Sequence, residues 1–198
     1  IPSRVAAPTQ PAQVYSVRIP VDRLEQLRLL AAKREIAPSR LIRDLVIRDT
    51  TAHHIELNAI QDALIENCAF EGFVRPTSVP GEAVQIDGNF SDSGTPGPWD
   101  NTMCKNIIVT GCVSRASTLA AAPGAIVGSH ARPTGTTVLH SNITVRDCVV
   151  EAATGTDYYG NGIGAFYWRN SLITGNVISD TVGAGIRDRK VASPPTAT

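Results

Sequence analysis

Four segments of the chain line up on one another: ALIENCAF (63–70), IIVTGCVS (107–114), ITVRDCVV (143–150) and LITGNVIS (172–179). Each has β-branched or aliphatic residues, a small or polar corner, Cys or Asn, and then another apolar position. The corner residues Cys68, Cys112, Cys148 and Asn176 recur after 44, 36 and 28 residues. A second element alternates with the first: HIELNA (54–59), GEAVQIDG (81–88), GAIVGSHA (124–131), NGIGAFYW (161–168) and GAGIRDRK (183–190). Strands this short cannot bury both faces alone and become stable only when successive repeats stack into one apolar column. The repetition therefore predicts about five rungs over residues 51–198, each built from two short strands and their corners. A sandwich of antiparallel strands is the competing arrangement, and it leaves the returning Cys or Asn unexplained.

Composition agrees with a stacked sheet. Hydrophobic residues make up 42% of the 198 residues but aromatics only 5%, so Ala, Val, Ile and Leu must fill the core. The formal net charge is zero, which excludes a uniformly basic nucleic-acid binder or an acidic tail. Its distribution is uneven, with nine basic and five acidic residues in 1–50 against nine and thirteen beyond. All 16 glycines lie beyond Thr51, the first being Gly72, so the two parts are expected to differ in kind. No apolar run is long enough for a membrane-spanning helix. The start at Ile1 reads as that of a processed or trimmed piece.

The first fifty residues read as three pieces. Residues 1–13, with three prolines and no apolar periodicity, predict a flexible leader. Val14 to Ile19 alternate as a short strand that Pro20 stops. Leu24, Leu27, Leu30 and Ala31 then mark one amphipathic helix, and Leu41, Ile42, Leu45 and Val46 a second that opens at Pro38-Ser39. This strand-helix-helix order over about 14–49 resembles the ribbon-helix-helix family of DNA-binding proteins. The resemblance implies that Ser16 and Arg18 face base edges and that Ser39 lies near a phosphate. The alternative is a segment over 14–50 that caps the neighbouring coil or holds protomers together.

Pieces such as NITVRDC and NSLITGN resemble the right-handed parallel β-helix of the pectin-lyase type, and the resemblance covers about three quarters of the chain. The expected fold is mainly β: a right-handed parallel β-helix solenoid preceded by the short strand-helix-helix segment. Cys68, Cys112 and Cys148 then become ladder residues stacked at a corner. Cys104 stands outside the ladder in the insertion GNFSDSGTPGPWDNTMCKN, either paired with Cys112 or free.

Enzymes of this type bind an extended polysaccharide along one outer face. Aligning Ile55, Val84, Ile126, Ile163 and Ile186 as inward residues brings Asp87, His130, Tyr167, Trp168, Arg187, Arg189 and Lys190 to one side. Aromatic rings stack on sugars, Arg and Lys meet anionic groups, and a carboxylate or His moves a proton. The catalytic candidates are Asp87, His130 and Arg187, and the substrate-binding candidates are Tyr167, Trp168, Arg189 and Lys190. Glycoside hydrolysis needs two carboxylates, for which Glu56, Glu82, Asp87, Asp100 and Asp157 are available. Only GSH (128–130) and IRDRK (186–190) stand near the polygalacturonase motifs GHG and RIK, and neither matches faithfully.

No cofactor is expected, with calcium entering only on a lyase-like reading, and no metal ligands stand out. The expected function is recognition of a polysaccharide, with cleavage by a lyase or glycoside hydrolase as its extension. The alternatives are a structural solenoid of a fibre or virion without catalysis, and a DNA-binding regulator carrying an accessory β-helix. The expected partners are a polysaccharide and further copies of the chain, with DNA through residues 14–49 in the regulator reading and no membrane. An extracellular or virion-associated location follows from the first two readings. Five rungs are few for a catalytic solenoid, so the chain reads as part of a longer one.

Overall fold

The computed structural model describes residues 41–43, 46–50, 53–74, 81–90, 98–129, 138–154 and 160–189. The leader, the first expected strand and helix, and Ser16, Arg18, Ser39, His130 and Lys190 lie outside these residues. Sixteen β-strands and no helix occur among them. In chain order they are β1 Leu41–Arg43, β2 Val46–Thr50, β3 Ile55–Asn58, β4 Gln61–Glu66, β5 Ala69–Phe73, β6 Glu82–Asp87, β7 Lys105–Thr110 and β8 Val113–Arg115. They continue as β9 Ala125–Gly128, β10 His140–Arg146, β11 Val149–Val150, β12 Ile163–Phe166, β13 Trp168–Arg169, β14 Leu172–Thr174, β15 Val177–Ile178 and β16 Ile186–Arg189.

Every strand pair is parallel, which removes the antiparallel sandwich. Sheet A runs β1-β4-β7-β10, with β13 and β14 both paired to β10. Sheet B runs β2-β5-β8-β11-β15 and sheet C runs β3-β6-β9-β12-β16. The chain visits A, B and C in rotation, so each turn contributes a strand to each sheet. The turns are thus three-sided, and each repeated Cys-containing segment is two strands bent across the corner between sheets A and B.

Two expectations change here. Leu41, Ile42 and Val46, assigned to a helix, stand in β1 and β2, where Ile42 pairs with Ile65 and Val46 with Ala69. Their apolar spacing also fits β-structure, and the neighbouring turn supplies hydrogen-bond partners that an isolated helix would not meet. The ribbon-helix-helix resemblance loses its second helix, and the stacking of parallel strands reaches back to Leu41. The second change concerns register: Val127, not Ile126, pairs with both Val84 and Ile163. Both residues are fully buried, so hydrophobic pattern alone did not distinguish them.

The core is a set of stacked rows. Ile65, Val109 and Val145 line the interior of sheet A, and Ile47, Phe70, Ser114 and Val150 that of sheet B. Ile55, Val84, Val127 and Ile163 line that of sheet C. At the A–B corner, Val113, Val149 and Val177 each donate a backbone hydrogen bond of 2.9 Å to Cys68, Cys112 and Cys148 respectively, so the cysteines form one column. Asn176 extends it by accepting from the Cys148 N–H through Oδ1 at 3.0 Å. The residue before each corner is left-handed: Asn67 (φ 53°), Gly111 (61°), Asp147 (55°) and Gly175 (65°). All four cysteines are buried and none forms a disulfide, Cys104 included.

A second polar ladder runs six residues ahead of those corners. Asn106 donates to Asp62 Oδ1 at 2.8 Å, and Asn142 donates to Asn106 Oδ1 at 2.9 Å. Asp62, Asn106, Asn142 and Asn170 all adopt positive φ. Asn and Asp tolerate that conformation best among side-chain-bearing residues, and stacking satisfies their amides from turn to turn.

Candidate functional site

Sheet C carries the polar row on which the sequence analysis placed a glycan. Its register sets Glu56, Gln85, Gly128, Gly164 and Arg187 side by side across five turns, with Asn58 beside Asp87 two positions on. The pattern arises because Ile55, Leu57, Val84 and Ile86 face inward and force the intervening positions outward. Gly128 takes its place because a Cβ there would meet Glu82 Cγ at 2.6 Å.

Asp87 is the most perturbed group of the row. It is 1% exposed, and Gln85 Nε2 donates to its Oδ2 at 2.5 Å, while its Oδ1 has no hydrogen-bond partner among the described residues. Burial pushes its carboxyl well above the ordinary range, and the negative charges of Glu82 and Glu56 push it further. Asn58 Nδ2 donates to Glu56 Oε1 at 2.9 Å, and His53 Nδ1 lies 3.3 Å from Glu82 Oε2. The arrangement sets a carboxyl group that binds its proton more tightly than usual beside two further carboxyl groups, the kind of inventory that general acid chemistry uses. Among the described residues no three His, Cys, Asp or Glu side chains are arranged to hold a metal ion.

The other sequence candidates divide. Arg187 shares the row with Glu56 and Gln85 and is half-buried. The Arg189 backbone pairs with Phe166. Tyr167 is buried at the C-to-A corner with φ 62°, and its carbonyl accepts from His140 N–H at 3.0 Å. Trp168 packs against the core and donates from Nε1 to Ser129 Oγ at 2.5 Å, which in turn donates to the Phe166 carbonyl at 2.9 Å. Both aromatics therefore serve the corner, with Trp168 half-exposed beside it.

Cys104 is held by hydrogen bonds instead of by a disulfide. Its Sγ donates to the Asp87 carbonyl at 3.1 Å, and its N–H donates to His140 Nδ1 at 3.2 Å. Burial pushes the thiol up to about 12 and His140 down to about 3, so both are neutral and unreactive near pH 7.

Sequence reading missed a second charged row, on the outer face of sheet B. Arg48 pairs with Glu71, and Glu71 with Arg115, in successive turns. Arg115 Nη1 lies 3.8 Å from Glu151 Oε1. A signal was available: Glu71, Arg115 and Glu151 each stand three residues after a corner cysteine.

No protein-family model and no curated protein sequence matches the chain. Solved structures do. One is the crystal structure of PfbA, a surface adhesin of Streptococcus pneumoniae, at 14% identity and TM-score 0.50, covering 68% of this chain and 41% of that one. Another, described as the structure of the Streptococcus pneumoniae surface protein and adhesin PfbA, has the same identity and TM-score, covering 74% of this chain and 45% of that one. The chain spans less than half the length of either, and at this identity the likeness is one of fold: parallel strands stacked turn upon turn.

Proposed function

We propose that this chain is a right-handed parallel β-helix module of a surface-exposed protein and that it recognises a polysaccharide across sheet C. The observation that carries the reading is the polar row itself. Three carboxyl groups and two amides, Glu56, Glu82, Asp87, Asn58 and Gln85, gather on adjoining turns of one sheet, two of the acids buried and one of them, Asp87, pushed well above the ordinary carboxyl range by burial. Burying polar groups in this way is costly, and perturbed carboxyls concentrate where ligands are bound or protons moved. Right-handedness is supported by the strong bias of parallel crossover connections. The surface location is supported by the likeness to adhesins, which share the stacked parallel strands.

The reading assigns a sugar hydroxyl to Glu56, which Asn58 holds in place, and the face of a ring to Trp168. Arg187 stands at the far end of the row. The test is a glycan array followed by titration of the best oligosaccharide against the parent chain and Glu56→Ala. Loss of about tenfold in affinity is expected, the effect of removing one charge-assisted hydrogen bond. Unchanged binding would overturn the placement. Incubating the same oligosaccharide and analysing the products measures turnover, which Asp87→Asn should abolish if Asp87 is the acid.

A further inference from the structure

The outer face of sheet B carries a cradle of two arginines set on one carboxylate. Glu71, with a side chain only 8% exposed, accepts from Arg48 Nε on one side. On the other it accepts from Arg115 Nε at 3.0 Å and Nη2 at 2.5 Å. These contacts hold the Glu71 carboxyl below the ordinary carboxylate range, chiefly through Arg115 and then Arg48. They also fix the planes of both guanidinium groups while leaving them largely in solvent, 61% exposed for Arg48 and 44% for Arg115. The Nη groups of Arg48 have no partner among the described residues, and Arg115 Nη1 has only Glu151 at 3.8 Å.

A depression of about 380 Å3 opens between these groups and residues Ala116 to Leu119. Its far wall is an ordered turn, because Ser117 Oγ accepts from the N–H groups of Leu119 and Ala120 at 3.0 and 2.9 Å. The turn presents Leu119 to solvent at 81% exposure. Two oriented forks of N–H donors next to an apolar side chain fit a planar or tetrahedral oxyanion carried on a compact body. The volume suits a single sugar-sized ligand.

We propose that Arg48 and Arg115, clamped by Glu71, bind the anionic group of a sugar-sized ligand, a carboxylate or a sulfate ester, with Leu119 against its ring. The Nη groups contact the oxyanion, and Glu151 is displaced from its long contact with Arg115. Glu71 is a positioning residue: it stays bound to both arginines and prevents them from splaying apart. The site lies on a different sheet from the polysaccharide row and does not depend on it.

The probes are methyl β-glucuronide for the carboxylate, glucose 6-sulfate for the sulfate ester, and methyl β-glucoside as the neutral body. Titration into the isotope-labelled full chain is followed by amide NMR. The anionic probes should shift Ser117 to Ala120 while the neutral one does not, and the more tightly bound anion identifies the natural group. Arg115→Gln should weaken binding by about tenfold. Because that change also removes an ion pair, Leu119→Ser, at a side chain that supports nothing, is the second variant, with a several-fold loss expected. Gln85→Ala, on sheet C, should leave this binding unchanged. Equal binding of the neutral sugar, no shift with either anion, or full affinity in both Arg115→Gln and Leu119→Ser would overturn the site.

Discussion

The Asn67 side chain lies over Gly111 of the following turn, its Oδ1 2.5 Å from where a Cβ would stand. Asp147 covers Gly175 in the same way two turns later. The corner column thus alternates a side chain with a gap, and each glycine both adopts positive φ and makes room for its neighbour. Gly111→Ala should destabilise the chain by about 2 kcal/mol, combining left-handed strain with the clash. Asn67→Gly in the same chain should recover part of that loss. Chemical denaturation of the two single variants and the double variant measures the coupling, and strict additivity would show that the contact carries none of the cost.

Ser114 stands between Phe70 and Val150 in the interior row of sheet B, and its buried hydroxyl has no hydrogen-bond partner among the described residues. An unsatisfied hydroxyl there opposes folding by about 1 kcal/mol or more. Ser114→Ala should therefore raise the thermal midpoint by about 2–4 °C. A lower midpoint would mean that the hydroxyl is satisfied after all.

Asp87 and His140 should give stability opposite dependences on pH. The folded chain holds the Asp87 proton more tightly than the unfolded chain, so its contribution is full below the ordinary aspartate value of 3.8 and is lost as pH rises above it. Asp87→Asn, which cannot ionise, should be more stable than the parent at pH 7 and no more stable near pH 3. His140 is held neutral, with about 3 in the folded chain against 6.5 unfolded. Its contribution is full above 6.5 and falls on acidification at up to about 1.4 kcal/mol per pH unit. Denaturation curves between pH 3 and 8 should show a shallower acid limb in His140→Gln.

The four thiols should resist alkylation in the native chain. Each is buried; burial pushes Cys104 up to about 12, and the hydrogen bonds that the Cys112 thiol donates to Cys148 and Cys68, with burial, push Cys112 up as well. Mass spectrometry after iodoacetamide treatment at pH 8 should find all four unmodified, and all four modified once the chain is unfolded. Labelling of Cys112 in the native chain would contradict the column.

What could be read from the residues alone was the coil's period. Cys68, Cys112, Cys148 and Asn176 occupy equivalent corners because a tight turn imposes the same local demands each time: a left-handed position and then a compact side chain, fully buried in the three cysteines. Those demands are met within eight residues, so they are written locally. The third sheet, the register of Val127 on Val84, and the strands at Leu41–Arg43 and Val46–Thr50 were decided by tertiary structure. Stacking chose between Ile126 and Val127, and a neighbouring strand edge turned a stripe that also suits a helix into β-structure. The same holds for the sites. Asp87 was visible as an acid in the right element, but its tighter hold on a proton comes from burial and from the charges of Glu82 and Glu56. The Arg48–Glu71–Arg115 cradle joins residues 23 and 44 positions apart, and only the stacking of turns brings those charges together.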